Sequence, residues 1–481
     1  MNTKKRNHGD ISRKATKAPY GFVAKVGIFG LVAAMQFCTG AQADPLYANS
    51  DLSPQPQVGT AFPPSLWTWN GISPSDVARI DALNPRFIVY TPSVKDTVFG
   101  DMFGFKETLA DYGFGFTGIL TGQFADQISG LPRYTNGKQA YIGQQSELDT
   151  SASIAVLTYD LGRLGLKGGL VTIEGCGADS TNPSNYPIGV RLCGAYVDQL
   201  LLDGRLEINA GIINESYQYA NPLVGGSVAT GSIGPSANIL TEMGLAAGGE
   251  GAPAANISYK WTDDLYSKLG VQRSTSPKGY VYDGRYANPD GVTFSEPGAG
   301  PLYLGEFGYR HQAAPGSNYT WFRIGGGVND SDFTDFLHKD RTQGVQAIYA
   351  LYDQQLLQVD PDQPRRGLYV GTSYMGATSA VVTYDHYYEA RLYSIGAFDA
   401  RPKDQMSFVS TLTQASNDYL LSNAGKLLHQ NVYNYNFIYG FNLAPGLFLN
   451  ADLTYSVHPS VIYENNEGSP WVAKLSISAY F

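Results

Sequence analysis

From residue 111 onward the chain repeats one pattern, apolar and polar side chains in alternation. In 205–216, Leu206, Ile208, Ala210 and Ile212 fall on one side, with Arg205, Glu207 and Asn209 on the other. In 255–262, Ile257, Tyr259 and Trp261 oppose Asn256, Ser258 and Lys260; in 447–456, Leu449, Ala451, Leu453 and Tyr455 oppose Asn450, Asp452 and Thr454. Successive strand side chains point to opposite faces, so each stretch is a strand with one apolar and one polar side. Sixteen such segments follow one another, the first at 114–124 and the last at 471–481. Most are close to the about nine to eleven residues that a tilted strand needs to cross a bilayer.

One alternating strand proves little, because soluble sandwiches alternate too. The connections narrow the choice. Short turns at Asp203-Gly204, 262–264 and 444–446 take turns with long Gly/Pro/Asn-rich excursions at 220–254 and 274–300. Short turns on one rim and long loops on the other are the asymmetry of outer-membrane barrels, and an even strand count returns both ends to the short-turn side. The composition fits: 55 Gly and 34 Tyr in 481 residues, 13% aromatic and only 16% charged. A mean hydropathy of −0.19 excludes a helical polytopic membrane protein but not a barrel, where only alternate residues need be apolar. The fold class read from the sequence is all-β, a 16-stranded antiparallel transmembrane β-barrel in a bacterial outer membrane, with outer-membrane lipid around it.

The first 43 residues read as a secretory signal peptide: a basic stretch at 4–17, a short apolar core at 26–37 and "AQA" before Asp44, with cleavage after Ala43. Cys38 follows Phe37 where a lipoprotein signal needs a small residue. Residues 44–110 are Pro-rich and irregular and read as an N-terminal periplasmic segment. One short helix is expected at 74–83, with Ser73 as N-cap and Pro74 at its first position. Residues 111–481 read as the barrel. The whole chain has 33 Lys/Arg and 42 Asp/Glu; residues 1–43 hold seven and one of these, leaving 26 against 41, a formal −15. That balance weighs against nucleic acid and anionic lipid surfaces as partners, and against a phosphate pore. Two cysteines then remain, Cys176 and Cys193, and an oxidising periplasm predicts a disulfide clamping the connection between strands three and four.

Enzyme chemistry is not legible. There is no His-Glu-x-x-His or Gly-x-Ser-x-Gly, and the six His are scattered. "NDSDFTD" at 329–335 lacks the Gly and terminal Glu of a calcium loop and reads as a solvated loop. No catalytic residue, metal site or cofactor is expected. The polar rows instead suggest a pore wall: Gln145, Glu147 and Asp149 on strand two, Arg205 and Glu207 on strand five, Trp321 and Arg323 on strand nine, and Asp385, Glu389 and Arg391 on strand twelve. Mixed carboxylates and guanidinium groups suit a neutral polyol, and an aromatic face such as that of Trp321 can cover a sugar ring.

Several motifs resemble the carbohydrate-selective porin family of the OprB type. "VFGDMFGFKETLADYGFGFTGILTGQF" resembles the segment leading into its first strand, and "LLLDGRLEINAGIIN" its central hairpin. "GAFDARPKDQMSFV" resembles its Arg-Pro-x-Asp turn, and "YNYNFIYGFNLAPGLFLNADLTYSVHPS" its penultimate hairpin. The sequence differs at Met102 and Phe103, where the family usually has Trp and Gly. The resemblance implies a sixteen-stranded passive diffusion pore, sometimes trimeric, for glucose and related sugars. It also implies that the 220–254 loop folds inward and narrows the channel, which fits "NILTEMGLAA", a stretch that reads as a short helix. It implies that the terminal aromatic, Phe481, helps the barrel assembly machinery recognise the last strand. The −15 charge keeps a general, mildly cation-selective porin open as an alternative, and an enzyme or adhesin on a barrel scaffold stands behind it.

Overall fold

The computed structural model describes residues 72–86, 91–133, 141–181, 188–220, 239–247, 249–463 and 468–481. The signal peptide read at 1–43, its cleavage after Ala43 and the first part of the periplasmic segment lie outside the described residues. The strands are β1 (Phe114–Gln127), β2 (Glu147–Asp160), β3 (Gly169–Ser180), β4 (Gly189–Leu201), β5 (Leu206–Ile213), β6 (Ala252–Lys260), β7 (Leu265–Arg273) and β8 (Pro301–His311). They continue as β9 (Thr320–Thr334), β10 (Thr342–Gln358), β11 (Gly367–Ala377), β12 (Tyr384–Ile395), β13 (Gln405–Ala415), β14 (Asn431–Ala444), β15 (Leu447–Val457) and β16 (Trp471–Tyr480). Among the short helices that accompany them are α1 (Pro74–Asp81), α2 (Phe105–Asp111), α3 (Ile239–Glu242) and α4 (Asn417–Ser422).

The sixteen strands form one closed antiparallel barrel, each paired with its neighbours in chain order. Closure is made by β16 against β1, in a register from Ile119↔Tyr480 to Gln127↔Val472. The seam runs past the strand end: Phe481 N–H donates to the Gly118 carbonyl at 2.9 Å, and Gly118 N–H returns the bond at 3.2 Å. An unpaired edge in hydrocarbon would leave these groups without partners, so closure is the condition for spanning lipid. Strand lengths run from 8 residues in β5 to 17 in β10, so β10 extends beyond the length that hydrocarbon requires.

The alternating rows read from the sequence all become strands, in order, with shifted ends. Thus β2 starts at Glu147 rather than 141, and 329–334 belongs to β9 rather than to a loop. The β4–β5 turn is built from consecutive left-handed residues, Leu202, Asp203 and Gly204, at φ 52, 54 and 80°. At the β14–β15 turn Gly446 (φ +69°) is required twice over, because a Cβ there would lie 2.7 Å from the backbone nitrogen of Val98.

Val98 belongs to the segment before the barrel, which is stitched along the short-turn rim. Helix α1 has the expected cap, Ser73 accepting from Asp76 N–H with Pro in the first turn, and ends at Asp81. Ile80, Leu83, Val94 and Ala110 make a small core of their own. Arg86 pairs with Asp198 of β4 at 2.7 Å, and Lys403 of the β12–β13 turn with Asp96 at 2.6 Å. Val98 N–H donates to the Tyr480 carbonyl at 2.8 Å, and Phe99 stacks on Phe481 at 5.7 Å between ring centroids.

Candidate pore-lining site

Polarity is inverted relative to a soluble protein. Large apolar side chains stand on the outside of the wall: Leu269 is 63% exposed, Ile348 61%, Phe437 51% and Leu475 50%. Charged and amide side chains on the alternate positions, among them Asn256, Glu306, Arg323, Asp353, Arg391 and Lys474, are buried on the inside. A wall of this kind needs lipid around it and a polar interior within it.

The residues singled out in the sequence divide. Glu147 and Asp149 lie inward on β2, and Ser180 Oγ donates to Asp149 at 2.5 Å. Gln145 precedes β2 and is half-buried. Glu207 is inward and half-buried on β5. Arg205 precedes β5: it follows the left-handed run at 202–204 in the short turn, where it is exposed at the rim. On β12 a register shift between Tyr384 and His386 breaks the alternation. It turns Tyr384, expected outside, into the interior, and leaves Asp385 half-buried at the irregularity.

Glu389 and Arg391 belong to a cluster that the sequence reading had only in part. Arg391 holds Asp353 of β10 in two bonds, Nε to Oδ1 at 3.0 Å and Nη2 to Oδ2 at 2.8 Å. Its Nη1 donates to Ser373 Oγ at 2.9 Å and to Glu389. Tyr387 donates to Glu389 at 2.6 Å and Tyr393 to Asp353 at 3.1 Å. One guanidinium between two carboxylates, with phenols on the remaining lone pairs, satisfies groups that would be costly alone.

A second cluster surrounds Trp321. The Arg323 guanidinium lies 3.5 Å from the centre of its ring and that of Arg310 4.6 Å. The indole N–H donates to Tyr266 at 3.0 Å; Tyr266 and Tyr349 in turn donate to the two Glu306 oxygens at 2.8 and 2.7 Å. The Trp321 face expected to meet a sugar thus carries a cation. Asp353, Glu306, Tyr266 and Arg310 were missed by the sequence reading, although the same alternation applied to β7, β8 and β10 points them inward.

The cysteines are bonded, with 5.7 Å between their Cα atoms. They close the β3–β4 connection as expected, but from further down the wall than the sequence suggests. Both sit inside strands, and Cys193 is the extra residue of a bulge, since Glu174 pairs with Gly194 and Gly175 with Leu192. Glu174 with these two cysteines is the one grouping of metal-ligand types among the described residues, and its sulfurs are committed to each other.

The connection after β5 turns inward, as expected. Its described parts, 214–220, 239–247 and 249–251, reach the inner wall. Tyr219 donates to Asn256 at 2.9 Å, and Lys268 Nζ to the Gln218 carbonyl at 3.1 Å. Gln272 Nε2 donates to the Gly244 carbonyl at 2.9 Å. Ile239, Leu240, Met243 and Leu245 are buried against Leu302, Leu304, Val345, Ala347, Tyr349 and Val409. The expected helix is a single turn, Ile239–Glu242, because the chain reverses at Gly244 (φ +97°), where a Cβ would lie 2.1 Å from Ser274 Oγ. Burial raises the Glu242 carboxyl to about 7, against two backbone hydrogen bonds that lower it. In the rim segment burial lowers Lys106 to about 8, against the pull of Asp81 and Asp101.

Comparison with known proteins agrees with this geometry. The family described as carbohydrate-selective porin, OprB family, matches residues 145–469. No curated protein matches the chain. Among solved structures, that of Pseudomonas putida OprB at high pH is similar with a TM-score of 0.66 and 17% identity, covering 82% of this chain and 100% of its own. The low-pH structure of the same porin gives a TM-score of 0.50 and 16% identity, covering 80% and 98%.

Proposed function

Since the chain belongs to the carbohydrate-selective porin family and is an outer-membrane porin of that kind, we propose that it passes neutral monosaccharides of the glucose type by passive diffusion, without cofactor or turnover. The observation that carries this reading is the pairing of charges on the inner wall. Arg391 sits between Asp353 and Glu389, and Lys474 pairs with Asp452 at 2.6 Å. Paired charges present donors and acceptors without a strong net field, which suits a polyol better than an ion. Gln145, Glu207, Trp321 and Asp385, being half-buried, are the proposed contacts along the path; Glu147, Asp149, Arg323, Glu389 and Arg391 act behind them.

Residues 44–110 are proposed as a periplasmic segment that braces the rim, 1–43 as the signal peptide, and Phe481 as the mark read by the assembly machinery. A homotrimer is compatible with the family resemblance. The test is single-channel current in a planar bilayer. Concentration-dependent block by glucose with weak ion preference supports the reading. Strong cation preference without block supports the second reading, a general cation-selective porin, which the formal −15 of residues 44–481 favours.

A further inference from the structure

The inward loop is held to the wall at one point by a carboxylate far from its own strand. Glu242, the last residue of α3, accepts through Oε2 from the backbone N–H of Thr383 at 2.7 Å and of Tyr384 at 3.3 Å. These donors stand at the long-loop end of β12, 141 and 142 residues along the chain. They occur where the β12–β13 register slips between Tyr384 and His386. At the other side of the same turn, Asn329 of β9 donates to the Met243 carbonyl at 2.5 Å, and Gln272 of β7 to that of Gly244 at 2.9 Å.

We propose that Glu242 is a positioning residue for sugar selectivity: its carboxyl group, as acceptor, ties the constriction loop to β12 and so sets the width of the pore. The apolar contacts of Ile239, Leu240 and Met243 press the loop against the wall but are non-directional. The Glu242 bonds are directional, and they define where along β12 the loop stops. Among the described residues no basic side chain forms an ion pair with Glu242, so its partners are the two backbone donors. The inference rests on the porin reading, but conductance in plain electrolyte tests it without any sugar.

The linkage has a definite sign. The buried carboxyl is raised to about 7 from an ordinary 4.5, so the tied state binds the proton better than a released, hydrated loop does. The tie is therefore at full strength below the ordinary value, and weakens as pH rises through about 7. The titratable groups around it are Tyr384 on β12 and Tyr419 on α4. Asp385 and Asp418 stand beside these two and interact with each other. His386 bonds Tyr374 at 3.2 Å and packs near Tyr388 on the outer side of β12.

The experiment uses purified full-length barrels of the wild type, E242A and E242Q in planar bilayers and in liposome swelling with glucose and a linear trisaccharide. Removing the acceptor of these two bonds should shift the tied-to-released ratio by about tenfold. E242A should then give higher, noisier conductance in potassium chloride and lose the preference for glucose over the trisaccharide. E242Q keeps a carbonyl acceptor and should retain that preference, while losing the change in conductance across pH 5–8 that the wild type shows. If E242A does not assemble, E242D withdraws the carboxylate by one methylene and is expected to widen the pore in the same way. Unchanged conductance, noise and sugar preference in E242A, or in E242D in its place, would overturn the tie. A wider pore in a protein that glucose never blocked would keep the tie and sink the sugar reading instead.

Discussion

The inner wall has two characters. On β14, β15 and β16 the inward row is mostly polar: Asn434, Asn436, Thr454, Ser456, Lys474 and Ser478, with Val432, Val472 and Tyr480 towards the strand ends. On β8, β10 and β13 much of it is apolar: Leu302, Leu304, Val345, Ala347, Leu351 and Val409. Both faces of that second wall are hydrophobic, because lipid covers one and the inward loop covers the other. The difference teaches how to read such a chain. Strict alternation marks wall that faces the lumen directly, while alternation blurred by inward apolar residues marks where a loop docks.

The comparison can be broken most severely at its polar end. Deleting Phe481 removes two backbone hydrogen bonds of the seam and the ring on Phe99. Most of the heat-modifiable barrel should be lost from outer membranes, with normal conductance in the molecules that insert; undiminished assembly would refute a role for this residue in closure. Next comes R391A, which leaves Asp353 and Glu389 buried without their cation. A loss of about 3–5 kcal/mol is expected in urea unfolding of the refolded barrel. A value near zero would mean that water already reaches the cluster.

In the docked wall, L304A should cost about 2–5 kcal/mol through the cavity left under the loop. S478A on the bare wall should stay within about 0.5 kcal/mol. Equal effects at the two sites would erase the distinction between the walls. Cysteine replacement falls between these: a free-thiol count on unreduced, denatured protein should find none, and C176S/C193S should cost about 3 kcal/mol. The smallest effect concerns the rim segment. Lys106 is held at about 8, below its ordinary 10.5, so the unfolded segment binds more protons between those values. Stability of the segment against limited proteolysis should therefore rise as pH goes from about 8 to above 10, and K106M should abolish that rise.

Strand number, strand order, the outward rows and the closing role of β16 were legible because a two-residue period is a local property that each stretch carries alone. The Ser73 cap was legible for the same reason. The disulfide was legible too, although β3 and β4 run on past the cysteines; Arg205 was placed in the wall because strand ends are poorly marked by a two-residue period, and Asp385 because a register slip against β13 is not visible in its own strand. Asp353 with Arg391, Glu306 with Tyr266, and Glu242 with Thr383 could not be paired from spacing, since 38, 40 and 141 residues separate them. The sequence by itself determined which side of each strand meets lipid; only barrel closure, which brings distant strands around one lumen, decided which charges neutralise one another and where the loop is held.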